Sequence, residues 1–215
     1  AAGVSAALRR RLRFALAAWR SVASRLPARP RGPYAPDVPS SLTEGECRLL
    51  AELARDGEAL EVGSWFGRST IALASEARAV HAVDWHRGDE HTGPLGTLNP
   101  FLRNLARYGV RDRVVVHVGR IEDVAPALRD DRFDVAFVDG YHTADAVRRD
   151  VDLVLRTVRD GGKLAFHDFG RAEYGVSEVV RELGAEPQVV DTIAVVDVTR
   201  ETKRRWAELR GDAAT

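Results

Sequence analysis

The chain has almost no sulfur: a single cysteine, Cys47, and no methionine in 215 residues. One thiol excludes an internal disulfide and fits a reducing compartment, so a cytoplasmic location is expected. With no Met even at position 1, the numbering is expected to start after a processed or trimmed end. No apolar run approaches the roughly 18 residues that a membrane-spanning helix needs. Net charge is absent as well, with 32 basic against 32 acidic residues. That balance hides an asymmetry. Residues 1–36 hold eight arginines (9, 10, 11, 13, 20, 25, 29 and 31) and no acid, leaving 24 basic against 32 acidic residues in the remainder. A body this acidic argues against a bare phosphate backbone as main partner, so no nucleic acid is expected. Apolar residues at 45% and charged residues at 30% describe a globular chain. Its length suits one domain plus an appendage, enough for a single sheet covered on both faces.

Also missing is the Gly-x-Gly-x-x-Gly fingerprint of dinucleotide sites. In its place stands Ala59-Leu60-Glu61-Val62-Gly63-Ser64-Trp65-Phe66-Gly67-Arg68-Ser69-Thr70. An apolar strand carrying an acid runs into a tight turn with glycines at 63 and 67, then into a helix. Backbone amides at such a helix start can close on a small ligand. The spacing points to a nucleoside ligand other than NAD.

Residues 1–40 read as a basic amphipathic helix, Ala6 to Leu26, followed by a proline-rich connector from Pro27 through Pro39. Leu8, Leu12, Ala15, Trp19, Val22 and Leu26 recur at helical spacing. The apolar centre is too short for a secretory signal. Peripheral contact of residues 1–36 with the inner membrane surface is one reading, with arginines on headgroups. A lid or dimer arm packed on the domain is the other. Ser41-x-x-Glu44 looks like a capping box opening a helix to about Ala54.

Residues 41–200 form the main domain, and 201–215 a charged C-terminal helix or tail. Strands are expected at 59–62, 80–84, 114–118, 134–138, 163–167, 187–190 and 193–198. Helices are expected near 69–76, 100–108, 121–128, 143–158 and 175–183. In 143–158 the stripe Ala144, Val147, Val151, Val154, Val158 is apolar, and Gly161-Gly162 is expected to end the segment. Such alternation implies right-handed βαβ units in an α/β, doubly wound, mostly parallel sheet. Only Asp191 and Thr192 separate the last two strands, too few for a crossover, so the last strand should be antiparallel.

Ligands in open α/β sheets sit beyond the carboxyl ends of the strands. Those ends are Glu61–Gly63, Asp84-Trp85, Gly119-Arg120, Asp139-Gly140-Tyr141-His142 and His167-Asp168. Asp84 could accept both hydroxyls of a ribose, and Trp85 offers a flat face to a base. The competing readings are a turn cap for Asp84, a buried structural acid for Glu61 and a loop hydrogen-bonding partner for His167. Asp139, His142, His167 and Asp168 bring two carboxylates and two imidazoles together. That donor set suffices for a divalent metal with one imidazole left as base. Of the other histidines, 81 and 117 alternate within strands, while 86 and 91 lie in a loop within reach of substrate.

Glu-Val-Gly-Ser-Trp-Phe-Gly-Arg-Ser-Thr, Val-Asp-Trp, Val-Asp-Gly-Tyr-His and Phe-His-Asp-Phe together resemble the class I S-adenosylmethionine-dependent methyltransferases. More narrowly they resemble metal-dependent O-methyltransferases of sugars and other small natural products, and more distantly catechol O-methyltransferase. The similarity covers about residues 41–198. It implies a Rossmann-like seven-stranded sheet with a reversed final strand. It also implies roles: Gly63, Ser64, Trp65 and Ser69 around the methionine part of the cofactor, Asp84 at the ribose, Trp85 with Gly119, Arg120 and Ile121 at the adenine, and Glu61 as a further cofactor-binding residue. Asp139, His167 and Asp168 would bind a divalent metal, Mg²⁺ or Mn²⁺, and His142 would be the base. The chain departs from that pattern at 167, where an oxygen donor is expected; imidazole suits Mn²⁺ better than Mg²⁺. The implied reaction is methyl transfer to a hydroxyl of a small molecule, foremost a sugar, glycosylated metabolite or glycolipid. An RNA methyltransferase anchored by the arginine-rich start and a non-catalytic cofactor-binding scaffold are the alternatives.

Overall fold

The computed structural model describes residues 32–88 and 93–211. The amphipathic helix expected at Ala6–Leu26 lies outside these, as does His91. Helix α1 (Glu44–Leu53) leads into β1 (Glu58–Val62), α2 (Arg68–Glu76), β2 (Ala79–Asp84), α3 (Leu98–Arg107), β3 (Val114–Val118), α4 (Ile121–Val124) and β4 (Phe133–Val138). Then come α5 (Ala144–Val154), β5 (Val158–Phe166), α6 (Val176–Glu182), β6 (Gln188–Val190), β7 (Ile193–Asp197) and α7 (Arg200–Arg210). The strands form one seven-stranded sheet in the order β3-β2-β1-β4-β5-β7-β6. Strands β1 to β5 pair in parallel, and β7 runs antiparallel to both β5 and β6. This is the Rossmann-like architecture expected, with β7 reversed because a two-residue turn cannot carry a parallel crossover.

Strand residues alternate between two apolar layers, as the twofold period of a strand requires. Ala59, Val80, Val135, Phe137, Ala165 and Ile193 face one side and pack with Leu50, Ile71, Phe101 and Leu105 from α1 to α3. Leu60, Val62, Ala136, Val138, Leu164 and Ala194 face the other and pack with Val147, Val151, Val179 and Trp206 from α5 to α7. Both faces being covered explains why the strands read as nearly continuous apolar runs. The connector before α1 is anchored too. Arg68 donates to the carbonyls of Leu42 at 2.9 Å and Pro36 at 3.1 Å, and Asp37 accepts from Arg107 and Tyr108. Among the described residues no helix is long and apolar enough to cross a membrane.

Two boundaries differ from expectation. The capping box is Thr43 with Glu46, not Ser41 with Glu44: Thr43 Oγ1 accepts from Glu46 N, and Glu46 Oε2 accepts from Thr43 N. Glu46 is drawn into that place because its other oxygen accepts from both the amide and the hydroxyl of Thr192, beside β7. Helix α5 stops at Val154, and β5 already begins at Val158 with Gly161-Gly162 inside it. Phe133 pairs with Val158 but Val135 with Lys163, so β5 carries a bulge where the glycine pair was expected to end the segment.

His81 and His117 touch across β2 and β3, Nδ1 to Nε2 at 2.9 Å, with His81 edge-on to Phe133. Burial lowers the His81 pKa to about 4, helped by Arg132 and His117, and burial lowers His117 too. Both rings are neutral in the folded state at neutral pH. The stability they lend is full above the unfolded histidine pKa of about 6.5 and is lost as pH falls toward 4. His81 alone should cost about 2 kcal/mol between pH 7 and pH 5. In urea titrations at those two pH values, His81→Gln should lose clearly less stability than the wild type; an equal loss would refute the assignment.

Candidate active site

The turn after β1 is held from three sides. Gly63 N donates to Val83 O at 2.9 Å, and Asp139 N donates to Val62 O at 2.8 Å, lacing the ends of β2, β1 and β4 together. Gly63 has φ +89°, and a Cβ there would stand 2.1 Å from the Asp139 carbonyl oxygen. Only glycine allows that approach. Three non-glycine residues at neighbouring strand ends, Trp65, His86 and Asp168, also sit in the left-handed region with φ of 45°, 54° and 61°. Asp56, Asp131 and Asp191, in turns elsewhere, share that conformation, so the geometry of the rim rests on its contacts.

Asp84 holds this turn. Its Oδ2 accepts from the amides of Ser64 at 2.9 Å and Trp65 at 2.7 Å, and its Oδ1 from His86 N at 2.5 Å. Oδ2 thus uses both its lone pairs, while Oδ1 keeps one for a further donor. Trp85 is 39% exposed, with the guanidinium groups of Arg87 and Arg120 at 4.6 and 5.5 Å from its ring. Gly119 N donates to Asp84 O, so Gly119 and Arg120 do meet Trp85 at one end of the sheet. Ile121 instead faces the apolar layer under the sheet. His86 is buried against Phe101 with Nδ1 2.8 Å from Thr97 Oγ1, anchoring its loop rather than facing a substrate.

Glu61 is fully buried, and its Oε2 accepts from Thr70 Oγ1 at 2.5 Å. Burial raises its pKa to about 8 against the pull of the Ser69 and Thr70 hydroxyls, with Asp139 and Asp84 raising it further. Glu61 Oε1, Ser64 Oγ and Trp65 Nε1 are buried without a hydrogen-bond partner among the described residues. An unsatisfied buried polar atom costs about 1–3 kcal/mol, and these three, on β1 and the turn after it, call for a polar ligand.

At the ends of β4 and β5 the four predicted residues converge. His142 Nε2 lies 3.3 Å from Asp139 Oδ1 and 3.2 Å from Asp168 Oδ2. Asp139, His142 and Asp168 offer ligand atoms all within 4.8 Å of one another. His167 is arranged differently from the predicted metal set. Its buried ring turns Nδ1 to Asp139 at 3.2 Å and Asp168 at 3.6 Å, and Nε2 to Glu46 at 3.8 Å. Burial disfavours its charge, but Asp139, Asp168 and Glu46 prevail and raise its pKa to about 12. His167 is therefore an imidazolium braced behind the carboxylates. Glu46 in turn is held down to about 2 by His167, Thr192 and Thr43, despite burial. For His142, burial works against the cation, while Asp139 and Asp168 raise its pKa. Arg171 Nε donates to Asp168 Oδ1 at 2.7 Å. Glu46 was not expected at the site, and Arg171 and Tyr174, which stacks on His142, lie in the segment 169–174 expected to contact the acceptor but without roles of their own. Glu46 had one local signal, its place in a capping box; Arg171 and Tyr174 lie in a loop without a code.

A family described as methyltransferase domain matches residues 60–169. The O-methyltransferase TomG from Streptomyces achromogenes, involved in tomaymycin synthesis and solved with SAM, is 26% identical, with a TM-score of 0.56 over 87% of this chain and 89% of its own. An O-methyltransferase from Bacillus cereus, solved with SAH, has a TM-score of 0.57 at 20% identity, covering 86% of this chain and 90% of that one. Cofactor-bound Rv0187 from MTB reaches a TM-score of 0.60 at 23% identity, over 86% of this chain and 89% of its own. With the matched residues running from β1 to the end of the Asp139–Asp168 cluster, the chain belongs to this methyltransferase family.

Proposed function

We propose that the protein is an S-adenosylmethionine-dependent O-methyltransferase acting on a hydroxyl of a small molecule. The observation that carries this reading is the set of unpaired buried atoms on β1 and the turn after it. Ser64 Oγ and Trp65 Nε1 can donate to a carboxylate, and Glu61 Oε1 can accept from an ammonium. An amino-acid end of that kind is what S-adenosylmethionine brings. The solved relatives with SAM or SAH support the same choice. Gly63 and Ser69 complete the methionine side, Asp84 takes the ribose, and Trp85 with Gly119 and Arg120 borders the adenine.

On the acceptor side His142 is the general base. Asp139 and Asp168 draw its Nε2 toward themselves, fixing the ring and making it more basic. The donors also fit a divalent ion. The ligand atoms of Asp139, His142 and Asp168 all lie within 4.8 Å of one another, and carboxylate oxygens suit a hard divalent ion. Asp139 and Asp168 would hold the ion, with His167 bracing them from behind rather than ligating. When bound, it would lower the pKa of the acceptor hydroxyl. Methyl transfer needs an in-line oxygen, and holding the acceptor beside His142 is the main contribution of the protein. The motif resemblance favours a sugar or glycosylated metabolite as acceptor.

Calorimetry should show binding of S-adenosylmethionine; well-folded protein giving no heat would end the cofactor reading. Release of S-adenosylhomocysteine with a panel of methyl glycosides and catechols is the activity assay. His142→Ala should lower kcat by about 10²- to 10⁴-fold while sparing cofactor affinity and ion binding. Loss of ion binding would make His142 a ligand instead. EDTA should suppress turnover, with Mg²⁺ or Mn²⁺ restoring it; an unchanged rate in EDTA would remove the ion from the reaction.

A further inference from the structure

After Asp168 the chain does not leave the site but folds back over it. Arg171 N approaches Asp168 O at 3.4 Å, Tyr174 N donates to Arg171 O at 3.2 Å, and the Arg171 guanidinium holds Asp168 Oδ1. Gly170 N donates to Ser177 Oγ at 2.7 Å, tying the start of this loop to α6. Its end is tied to the base. Gly175 N donates to His142 O at 2.8 Å, and the Tyr174 ring stacks on the His142 ring at 4.6 Å between centroids and 25° between planes. The approach is so close that a Cβ on Gly175 would stand 2.2 Å from Ala144 N. Arg148 on α5 reaches Glu178 and Glu182 on α6, so the helices on either side of this contact are clamped together.

The imidazole of His142 thus has three neighbours that set its pose: two carboxylates along one edge and a phenol ring across one face. The carboxylates alone fix where Nε2 points but leave rotation about that axis open. A stacked ring removes that freedom, because offset stacking favours near-parallel planes. We propose that Tyr174 is a positioning residue for His142, setting the plane of the imidazole while the two carboxylates hold its Nε2 edge. This rests on the reading of His142 as base. It adds that the loop after β5, by seating Tyr174, couples the acceptor side of the site to the alignment of that base. The stacking needs an aromatic ring and not the hydroxyl, so phenylalanine should serve and an aliphatic residue of similar bulk should not.

The test is NMR on the full chain with labelled histidine and tyrosine, the His142 signals being identified by their absence in His142→Gln. In the wild type, cross-relaxation between the Tyr174 and His142 rings is expected. The His142 Cε1–H signal should be shifted upfield by the ring current. Tyr174→Phe should keep the cross-relaxation and the shift; Tyr174→Leu should lose the shift, with S-adenosylmethionine affinity unchanged. Turnover on the acceptor panel should fall by about 10- to 100-fold in Tyr174→Leu and recover in Tyr174→Phe. No cross-relaxation between the rings in the wild type overturns the inference even if the leucine variant does not fold. So does a folded leucine variant whose turnover equals that of the wild type. Turnover surviving in His142→Ala sinks the base assignment instead, a separate outcome.

Discussion

The whole site depends on one close approach, that of the Gly63 backbone to the Asp139 carbonyl. A side-chain carbon at 63 would sit 2.1 Å from that oxygen, so the ends of β1 and β4 can meet only through glycine. The hydrogen bonds Gly63 N to Val83 O and Asp139 N to Val62 O then lock three strand ends in register. The turn with the unpaired atoms and the strand end with Asp139 become parts of one rigid rim. A methyl donor on the first and an acceptor at the second would be held at a distance set by backbone, not by mobile side chains. Positional precision of that sort is what a transfer between two bound molecules requires.

Behind the rim lies a chain of alternating charge. Glu46 faces His167, His167 faces Asp139 and Asp168, and both carboxylates face His142. Breaking a buried pair by removing one partner is costly, since the other charge is left uncompensated. Each member is therefore fixed by the next. Glu46 brings α1 into this arrangement and, through Thr192, the start of β7 as well. The reversed strand, which carries no reacting group, contributes by holding the acid that braces the imidazolium.

Much of this could be read before the structure. Strand ends follow from local patterning, and a parallel sheet places those ends together, so Glu61, Asp84, Asp139, His142, His167 and Asp168 were all legible as one rim. What local patterning cannot supply is which way a side chain turns once there. Asp139 and His142 share a turn, whereas the direction of the His167 ring depends on Glu46, 121 positions earlier. The same long-range pull moved the capping box from Ser41 to Thr43. Ile121 sits at the right place in the chain for an adenine contact, yet the start of α4 turns it into the core. The bulge in β5 was hidden because a glycine pair after a helix reads as a stop. Its actual role appears only when Val158 is seen paired with Phe133.

The nature of the acceptor and the need for an ion are linked by the same arithmetic. An aliphatic hydroxyl titrates near water's value of about 15.7 and a phenol near 10. Against an ordinary histidine at about 6.5, the gaps are about nine and about three and a half units, or about 12 and about 5 kcal/mol. A positioned general base contributes about 10²- to 10⁴-fold, equivalent to about 3–5 kcal/mol. As the proposed base, His142, made more basic by Asp139 and Asp168, would serve a phenol unaided. For a sugar hydroxyl a deficit of several kcal/mol would remain, and on the same proposal an ion held by Asp139 and Asp168 would offset it. The proposed acceptor and the proposed ion therefore stand together: an aliphatic alcohol calls on the ion, and an acidic hydroxyl does not.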